Sequence, residues 1–361
     1  MDFSAYLTVL NAFATAFAVA FVATPAVKRL AARVGAVDVP KDNRRMHKKP
    51  IPLMGGLAIA LGFLAAVLLF AHKTAQLIGI LIGAFIILGL GIADDIKPLP
   101  AKRKLLIQLL AALVPVLSGV QVQVITNFNP FAGNAYIRLG ILSIPFTALW
   151  IVGMTNAVNF IDGLDGLAVG VSSIATLCIL AIALLVSEGA VAVVAAALCG
   201  ACLGFFPFNY NPAGIFMGDT GALFLGYMLA TLSVQGLFKL YAAISFVVPF
   251  LVFGLPIFDT TFAIVRRIAA GRPPMEGDRG HLHHRLIDMG FSQKQSVFIL
   301  YVVSAFLGLT AVLLSILDVP RALLLSLCAF AVALVAVRST SIRRAVFLEE
   351  RRMEQEGGGH E

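Results

Sequence analysis

The sequence predicts an all-α, polytopic transmembrane helical bundle, and three observations carry this prediction. Of the 361 residues, 60% are hydrophobic and only 13% are charged, whereas soluble domains carry roughly 45–50% apolar and about 25% charged residues. Apolar runs of about 20 residues, the length that crosses a bilayer as a helix, recur from one end of the chain to the other. The loops between these runs are too short to hold a soluble domain.

About eleven apolar runs have the length and composition of a membrane span. They lie near residues 3–24, 51–71, 77–93, 105–125, 141–160, 166–187, 189–208, 220–238, 243–265, 295–316 and 320–338. We therefore expect one transmembrane domain over residues 1–340, with its functional loops on the cytoplasmic side. Residues 341–361 are rich in charge and end in three glycines, His and Glu, which predicts a flexible cytoplasmic tail.

The positive charges predict how the bundle is oriented. The first apolar run has no basic segment before it, and Lys28, Arg29 and Arg33 follow it, so it predicts a retained helix with its N-terminus outside. The Lys and Arg residues that then fall outside, out of 27, are Lys73, Arg138, Lys239 and Arg321. Because this asymmetry obeys the positive-inside rule, the net charge of +8 reflects topology and contact with anionic membrane lipids, and does not indicate nucleic-acid binding.

Five polar segments contain the unusual residues, and all of them fall on the inside of the predicted topology. They are DVPKDNRRMHKKPIPLMGG (38–56), ADDIKPLPAKRK (93–104), NAVNFIDGLDG (156–166), NYNPAGIFMGDTG (209–221) and RRIAAGRPPMEGDRGHLHHR (266–285). Six aspartates cluster at the inner ends of the spans: Asp94, Asp95, Asp162, Asp165, Asp219 and Asp259. Carboxylates are costly at a membrane boundary, so their concentration at one face predicts a functional site there.

Asp94 and Asp95 end an inward-running span, where the helix dipole is negative and the two carboxylates repel each other. A positive partner should offset this cost. The candidates are a divalent cation and the basic residues Lys102, Arg103 and Lys104. The structural alternative is a solvated helix end.

The next polar segment repeats an amide or a carboxylate every three residues, at Asn156, Asn159, Asp162 and Asp165. In a helix this spacing places them on one face, which would be polar at the end of a span. The alternative is an ordinary helix end followed by a glycine turn.

Asp219 lies in Gly-Asp-Thr-Gly directly before the eighth span, where a helix N-cap is the alternative to a functional role. For Asp259, which lies in Pro-Ile-Phe-Asp-Thr inside a span, we expect a structural hydrogen-bonding role.

The densest cationic cluster consists of His281, His283 and His284, flanked by Arg279 and Arg285. Arginine binds phosphate in a bidentate manner, and histidine donates a hydrogen bond or a proton near neutral pH, so the cluster predicts an anion cradle. Zinc binding by the three imidazoles is the alternative, although a tight histidine run without cysteine is weak evidence for it.

Together, the carboxylates can hold a hard cation and the basic loops can hold phosphates at the same membrane face. This combination is typical of metal-assisted phosphoryl transfer. The sequence contains neither a Walker A motif nor a G-x-G-x-x-G motif after a strand, which excludes the common ATPase and dinucleotide-binding classes.

These motifs resemble those of the polyprenyl-phosphate N-acetylhexosamine-1-phosphate transferases (glycosyltransferase family 4). These membrane enzymes move a sugar 1-phosphate from a UDP-sugar to undecaprenyl or dolichyl phosphate. The resemblance covers roughly residues 38–295 and rests on the order of the motifs. The matching stretches are Arg45-Met-His47-Lys48-Lys49-Pro50 with Gly55-Gly56, Asp94-Asp95, Asn156-x-x-Asn159-x-x-Asp162-Gly-Leu-Asp165-Gly, Asn211-Pro-Ala with Phe216-x-Gly218-Asp219, and His281-Leu-His283-His284.

The resemblance implies Mg²⁺ as the cofactor, with Mn²⁺ able to substitute for it. The metal ligands that it implies are Asp219, Asp94 and Asp95. The catalytic residues that it implies are Asp94, Asp95, Asp162, Asp165 and His281. The substrate-binding residues that it implies are His47, Lys48, Asn156, Asn159, Asn211, Phe216, Arg279, His283, His284 and Arg285.

The histidine motif also indicates a branch of the family. Its His-x-His-His pattern, followed by Arg285-Leu286, resembles the bacterial members that use UDP-GlcNAc and start O-antigen, common-antigen or teichoic acid chains. The branch that transfers phospho-MurNAc-pentapeptide typically shows three consecutive histidines followed by Phe-Glu, and remains the alternative. The implied substrates are UDP-GlcNAc and undecaprenyl phosphate, and the implied location is the bacterial cytoplasmic membrane.

A secondary transporter is the alternative from another class. Transporters place ionisable residues near the bilayer midplane and often contain inverted repeats, and neither feature is evident in this sequence. The sequence leaves open whether the protein forms a homodimer.

Overall fold

The computed structural model of the protein describes residues 2–40, 49–127, 136–240, 247–271, 280–317 and 319–328. Within these ranges the chain is almost entirely helical, which confirms the all-α prediction. The helices, numbered in chain order, are α1 (Phe3–Val34), α2 (Gly56–Phe70), α3 (Ala75–Ile96), α4 (Ala101–Leu117), α5 (Ser143–Ile161), α6 (Leu167–Leu185), α7 (Gly189–Asn209), α8 (Gly218–Leu240), α9 (Val247–Val252), α10 (Gly254–Ala269), α11 (Leu282–Asp288) and α12 (Gln293–Leu314).

Short elements fill the loops. A two-residue strand pair, β1 (Val37–Asp38) and β2 (Ile51–Pro52), is antiparallel. A second antiparallel pair joins β3 (Val124–Thr126) to β4 (Tyr136–Arg138). A 3₁₀ turn (Gly140–Leu142) precedes α5, and a short apolar helix (Val319–Cys328) follows α12.

Seven helices in the described ranges are long and apolar enough to cross a membrane. They are α1, α3, α5 with its preceding 3₁₀ turn, α6, α7, α8 and α12. The multi-span class is therefore confirmed. The count of about eleven spans and the side on which each terminus lies stay predictions.

Polar side chains at the helix starts explain several boundaries. Thr74 accepts a hydrogen bond from the backbone of Leu77 at 3.1 Å and caps α3. Ser292 and Gln295 form a reciprocal capping box that begins α12. Each cap pairs backbone N–H groups that have no partner within the helix, so these sequences specify where the helices begin.

The bundle is organised around α8, which packs against α2, α3, α5 and α6 and is almost entirely buried. α1 packs on α2 and α7 at the periphery through small residues. Ala12, Ala16 and Ala20 are fully buried, and Gly200 and Gly204 of α7 lie against backbone carbonyls of α1. Small residues let helices approach closely within a membrane, where dispersion contacts and polar bonds drive association.

Three predicted spans differ from the structure. The run near 105–125 is helical only as far as Leu117, and residues 124–126 form β3. The run near 51–71 becomes helical only at Gly56, because residues 51 and 52 form β2. The run near 243–265 is divided within the described residues into α9 and α10. Proline and glycine around the junction account for the break, since Pro249, Gly254 and Pro256 disfavour a continuous helix.

Backbone hydrogen bonds join the segment before α2 to the segment before α8. Phe216 N donates to Pro52 O at 2.8 Å, and Gly55 N donates to Phe216 O at 3.0 Å. At the crossing of the two helices, Gly56 faces Gly221 so closely that a side chain on Gly56 would overlap the backbone of α8. This close approach fixes the start of α8, and with it Asp219.

Candidate active site

The polar residues meet at one end of the bundle because successive helices alternate in direction. The last turns of α3, α5 and α7 lie beside the first turns of α4, α6, α8 and α12. A cavity of about 1170 Å³ opens there. The predicted site residues in its wall are Asp94, Asp95, Asn159, Asp162, Asp165, Asn211, Phe216, Asp219 and His284.

An ion-pair network forms the centre of the site. The ammonium of Lys104, in the first turn of α4, lies 2.6 Å from Asp94 Oδ2 and 2.8 Å from Asp219 Oδ2. Asp94 also accepts a hydrogen bond from Leu99 N at 2.7 Å. The sequence predicted a lysine or a cation as the partner of Asp94, and the structure identifies Lys104 as that lysine.

Asp95 has a different partner, which is the first turn of α8. Its Oδ1 accepts from Asp219 N at 2.8 Å, and its Oδ2 accepts from Thr220 N at 3.1 Å and from Thr220 Oγ1 at 2.6 Å. The carboxylate of Asp95 therefore caps α8 from a neighbouring helix and lies at its positive end. Asp219 does not supply the N-cap that was the alternative, and its side chain points to Lys104.

Asn159 binds the other oxygen of Asp219: its Nδ2 donates a hydrogen bond to Asp219 Oδ1 at 3.0 Å. Asn156, one turn earlier, has another role. Its Nδ2 donates to Gln108 Oε1 of α4 at 2.6 Å and to Val152 O at 2.8 Å. The predicted polar face is thus divided, because Asn159 and Asp162 line the cavity whereas Asn156 joins two helices.

The sequence reasoning missed Gln108 and the central role of Lys104. The signal available in the sequence was a glutamine within an otherwise apolar stretch, four residues after a lysine. The structure shows that this glutamine is buried. Residues at this spacing share a helix face; Gln108 contacts Asn156 of α5, and Lys104 contacts Asp94 of α3 and Asp219 of α8.

Asp162 ends α5 inside a group of carboxylates. Desolvation, together with the smaller effects of the charges of Asp219, Asp95 and Asp165, raises the pKa of Asp162 to about 8. This carboxyl group is therefore mostly protonated at neutral pH in the arrangement seen here, and a nearby cation would favour its ionised form.

Asp165 holds the loop between α7 and α8. Its Oδ2 accepts from Asn211 Nδ2 at 2.8 Å and from Ala213 N at 3.0 Å. Asn211 also donates to Gln293 Oε1 at the start of α12, at 2.8 Å. These bonds give Asp165, predicted to be catalytic, and Asn211, predicted to bind substrate, a role in shaping the cavity wall.

The histidine segment is anchored by Asp259 of α10. Asp259 Oδ2 lies 2.8 Å from His281 Nδ1, and Asp259 Oδ1 accepts from Leu282 N at 2.7 Å. Asp259 and His281 are buried and Leu282 is partly buried, and these bonds confirm the structural hydrogen-bonding role expected for Asp259. His281, predicted to be catalytic, is turned toward this anchor and is not part of the cavity wall.

The other histidines differ in exposure to the cavity. His283 is buried against Gly163, where a side chain on the glycine would overlap the imidazole. Burial lowers the pKa of His283 to about 3, with a smaller contribution from His284, so the ring is neutral at physiological pH. His284 lines the cavity. Arg285 lies 5.5 Å from the ring centre of Phe262, outside the cavity wall.

Metal binding by side chains alone is not prearranged. In the part of the chain that the structure describes, no group of three His, Cys, Asp or Glu residues is placed to hold a metal ion. The zinc alternative for the histidines therefore has no support there. The predicted metal ligands are divided, because Asp94 and Asp219 meet at Lys104 and Asp95 is engaged by α8.

Four residues singled out by the resemblance lie outside the described residues, namely Arg45, His47, Lys48 and Arg279. Two further basic residues of the cavity wall, Lys28 and Lys49, were not predicted as site residues, although Lys49 belongs to a stretch that matches the family.

The fold and the site define a multi-span membrane protein with a cluster of carboxylates, ion-paired to a lysine, at a cavity at one end of the bundle. Residues 77–237 match the model of glycosyl transferase family 4. The chain is 44% identical over 311 residues to the probable undecaprenyl-phosphate N-acetylglucosaminyl 1-phosphate transferase of Bacillus subtilis, covering 85% of each chain. The protein belongs to glycosyl transferase family 4.

Two further relatives are also named as transferases. The decaprenyl-phosphate N-acetylglucosaminephosphotransferase of Mycobacterium tuberculosis is 38% identical over 316 residues, which cover 80% of this chain and 78% of that one. The phospho-N-acetylmuramoyl-pentapeptide-transferase of Pelagibacter ubique is 30% identical over 341 residues, which cover 84% and 91%.

Proposed function

We propose that the protein transfers GlcNAc-1-phosphate from UDP-GlcNAc to undecaprenyl phosphate and releases UMP. The observation that carries the proposal is the pair of carboxylates Asp94 and Asp219, which line a large cavity and share the ammonium of Lys104. The chain that holds them is 44% identical to a protein named for this transfer. The reaction would take place at the cytoplasmic face of the bacterial inner membrane. Its product would start an envelope glycan of the O-antigen, common-antigen or teichoic acid type.

The GlcNAc branch is favoured over the phospho-MurNAc-pentapeptide branch. Relatives named for N-acetylglucosamine phosphate transfer are 38–44% identical to this chain, whereas the pentapeptide transferase of Pelagibacter ubique is 30% identical. The interrupted histidine motif supports the same choice.

Asp94 and Asp219 fit a hard divalent cation, because an ammonium already lies within 2.8 Å of one oxygen of each and carboxylate oxygens are ligands that Mg²⁺ prefers. Asn159 donates through its nitrogen to Asp219 and would orient that ligand. Mg²⁺ is commonly held by one or two carboxylates together with substrate phosphates, so a third carboxylate is not required. Bound there, Mg²⁺ or Mn²⁺ would neutralise negative charge on the diphosphate of the donor. Asp95 fits this role poorly, since both of its oxygens accept hydrogen bonds from α8.

In the proposed reaction an oxygen of the lipid phosphate attacks the β-phosphorus of UDP-GlcNAc. The new P–O bond forms as the bond from the β-phosphorus to the bridging oxygen breaks, and the electron pair leaves with UMP. A phosphate monoester has a second pKa of about 6, so much of the nucleophile is already dianionic and needs no general base. The protein then has to position the two phosphates and balance their charge.

The competing scheme is a two-step transfer through a phosphorylated aspartate. We favour the one-step scheme because much of the lipid phosphate is already dianionic and can attack the donor directly. We expect Asp94→Asn to lose activity at every pH. Full recovery of the variant at high pH would instead identify Asp94 as a base.

The reaction is tested by UMP release from purified protein given UDP-GlcNAc, undecaprenyl phosphate and Mg²⁺, with and without EDTA. We expect release that requires the lipid and the metal and that Asp219→Ala abolishes. Because one phosphoanhydride replaces another, excess UMP should regenerate UDP-GlcNAc from the lipid product. Release only from UDP-MurNAc-pentapeptide would overturn the choice of donor, and no release from either donor would overturn the proposed reaction.

A further inference from the structure

Lys104 occupies an unusual position, between two acidic side chains that come from different helices. Asp94 ends α3 and Asp219 begins α8, and the two are brought together only by packing of α3 on α8. Two carboxylates that contact the same ammonium are close enough to repel each other, and the positive charge between them offsets that repulsion.

The ammonium is held in the way that a bound cation would be. It contacts Asp94 at 2.6 Å and Asp219 at 2.8 Å, and Asn159 fixes the other oxygen of Asp219 at 3.0 Å. The Lys104 side chain is nevertheless 25% exposed, and the two carboxylates that its ammonium contacts, Asp94 and Asp219, both line the cavity. A lysine side chain has a flexible four-carbon stem, which lets its charge swing without movement of the helix.

We propose that Lys104 is a tethered stand-in cation. Its ammonium holds Asp94 and Asp219 together until a divalent cation and a diphosphate arrive. It then leaves the carboxylates for a phosphate oxygen of the donor. The second half of this inference rests on the proposed function, whereas the first half rests on the carboxylate pair alone.

The arrangement has a thermodynamic consequence. A divalent cation that binds alone must displace a charge tethered to the same oxygens and leave it without a partner, so its affinity is reduced. When a diphosphate binds as well, the displaced ammonium gains a phosphate partner. Metal and diphosphate therefore strengthen each other's binding, and by linkage the two effects are equal in size.

The test is the binding of Mn²⁺ alone to purified protein, followed by electron paramagnetic resonance of the free ion. We expect Lys104→Met, which removes the charge and keeps the length, to bind Mn²⁺ at least about tenfold more tightly than wild type. Lys104→Arg keeps a cation and should bind weakly, as wild type does. The matched control is Lys102→Met, an exposed residue of the same helix turn, which should leave the affinity unchanged.

A second titration adds UDP as the diphosphate probe. In wild type, UDP should tighten Mn²⁺ binding, and in Lys104→Met the strengthening should be smaller by about the factor that the variant gains without UDP. Equal or weaker Mn²⁺ binding by Lys104→Met overturns the inference. If that variant does not fold, tight Mn²⁺ binding by wild type without UDP, unchanged when UDP is added, overturns it as well. Neither titration contains a sugar donor or a lipid, so its outcome is independent of whether UMP release is found.

Discussion

The two adjacent aspartates at the end of α3 show how far residue types alone can predict a site. The sequence predicted that Asp94 needs a positive partner, and Lys104 is that partner, ten residues away on the next helix. Asp95 was given the same role because it has the same side chain and position. Its partners lie 124 and 125 residues away, at the start of α8. Such contacts follow from tertiary packing, which the local sequence does not encode.

The cap formed by Asp95 leads to a prediction that distinguishes Asp95 from Asp219, the proposed metal ligand. Asp95→Asn removes the negative charge at the start of α8 and replaces one acceptor by a donor facing Thr220. We expect a loss of stability on the order of 1–3 kcal/mol and reduced activity, because Asp219 is displaced. The Mn²⁺ affinity measured with UDP should fall only a few-fold.

The comparison variant is Asp219→Asn, which should remove Mn²⁺ binding by removing a ligand charge. The measurements are thermal unfolding in detergent and Mn²⁺ titration of both variants. If Asp95→Asn and Asp219→Asn lose Mn²⁺ affinity to the same extent while Asp95→Asn unfolds as wild type does, Asp95 is a metal ligand and not a cap.

His283 predicts an acid sensitivity of the fold. Its pKa is lowered from 6.5 to about 3, so above pH 6.5 the ring is neutral in both the folded and the unfolded protein. Below that pH the unfolded chain binds a proton that the buried ring does not. The free energy of unfolding therefore decreases as the pH is lowered below 6.5, by up to about 1.4 kcal/mol per pH unit.

We expect His283→Gln to show a smaller drop in melting temperature than wild type when the pH is lowered from about 7.5 to about 5. His72→Gln, at an exposed position away from the site, is the control and should keep the wild-type drop. An unchanged drop in His283→Gln would show that the ring is protonated in the folded protein.

At the scale of elements, the sequence predicted the long spans well because their apolar runs are continuous. The run near 77–93 corresponds to α3 (Ala75–Ile96), and the run near 189–208 corresponds to α7 (Gly189–Asn209). It failed where tertiary bonds replace the helix. Residues 51–52 pair with the loop before α8 through Phe216, and no local pattern indicates that pairing.

The crossing of α2 and α8 yields a prediction about packing. Gly56 faces Gly221 in direct backbone contact, so Gly56→Ala would force the two helices apart at the start of α8. Overpacking of this kind costs about 1–3 kcal/mol, and it would also displace Asp219. Thermal unfolding and UMP release should therefore both be impaired.

The matched control is Gly89→Ala on α3, where a side chain would meet nothing within 4 Å. That change should be neutral or slightly stabilising, since alanine favours a helix more than glycine does. Equal behaviour of the two variants would mean that α2 and α8 do not approach as closely as the structure has them.

At the scale of the whole molecule, the charge pattern and the site agree. The predicted inside loops hold nearly all the Lys and Arg residues, and the helix ends that meet at the cavity are the ends adjoining those loops. Composition and the positive-inside rule predicted which face carries the chemistry. They could not predict which polar groups there meet substrate and which join helices, because that depends on the rotation of each helix about its axis.

The orientation of the bundle is tested by labelling single cysteines with a membrane-impermeant maleimide. Lys97 lies in the exposed loop between α3 and α4 beside the site, and Glu188 lies in the exposed loop between α6 and α7 at the other end. In a Cys328→Ser background, which removes the exposed native thiol, we expect Glu188→Cys to react in intact spheroplasts. Lys97→Cys should react only after permeabilisation, because the predicted topology places its loop in the cytoplasm with the proposed donor site. The reverse pattern would put the cavity outside the cell, where a cytoplasmic nucleotide sugar could not reach it, and would contradict both the predicted topology and the proposed donor.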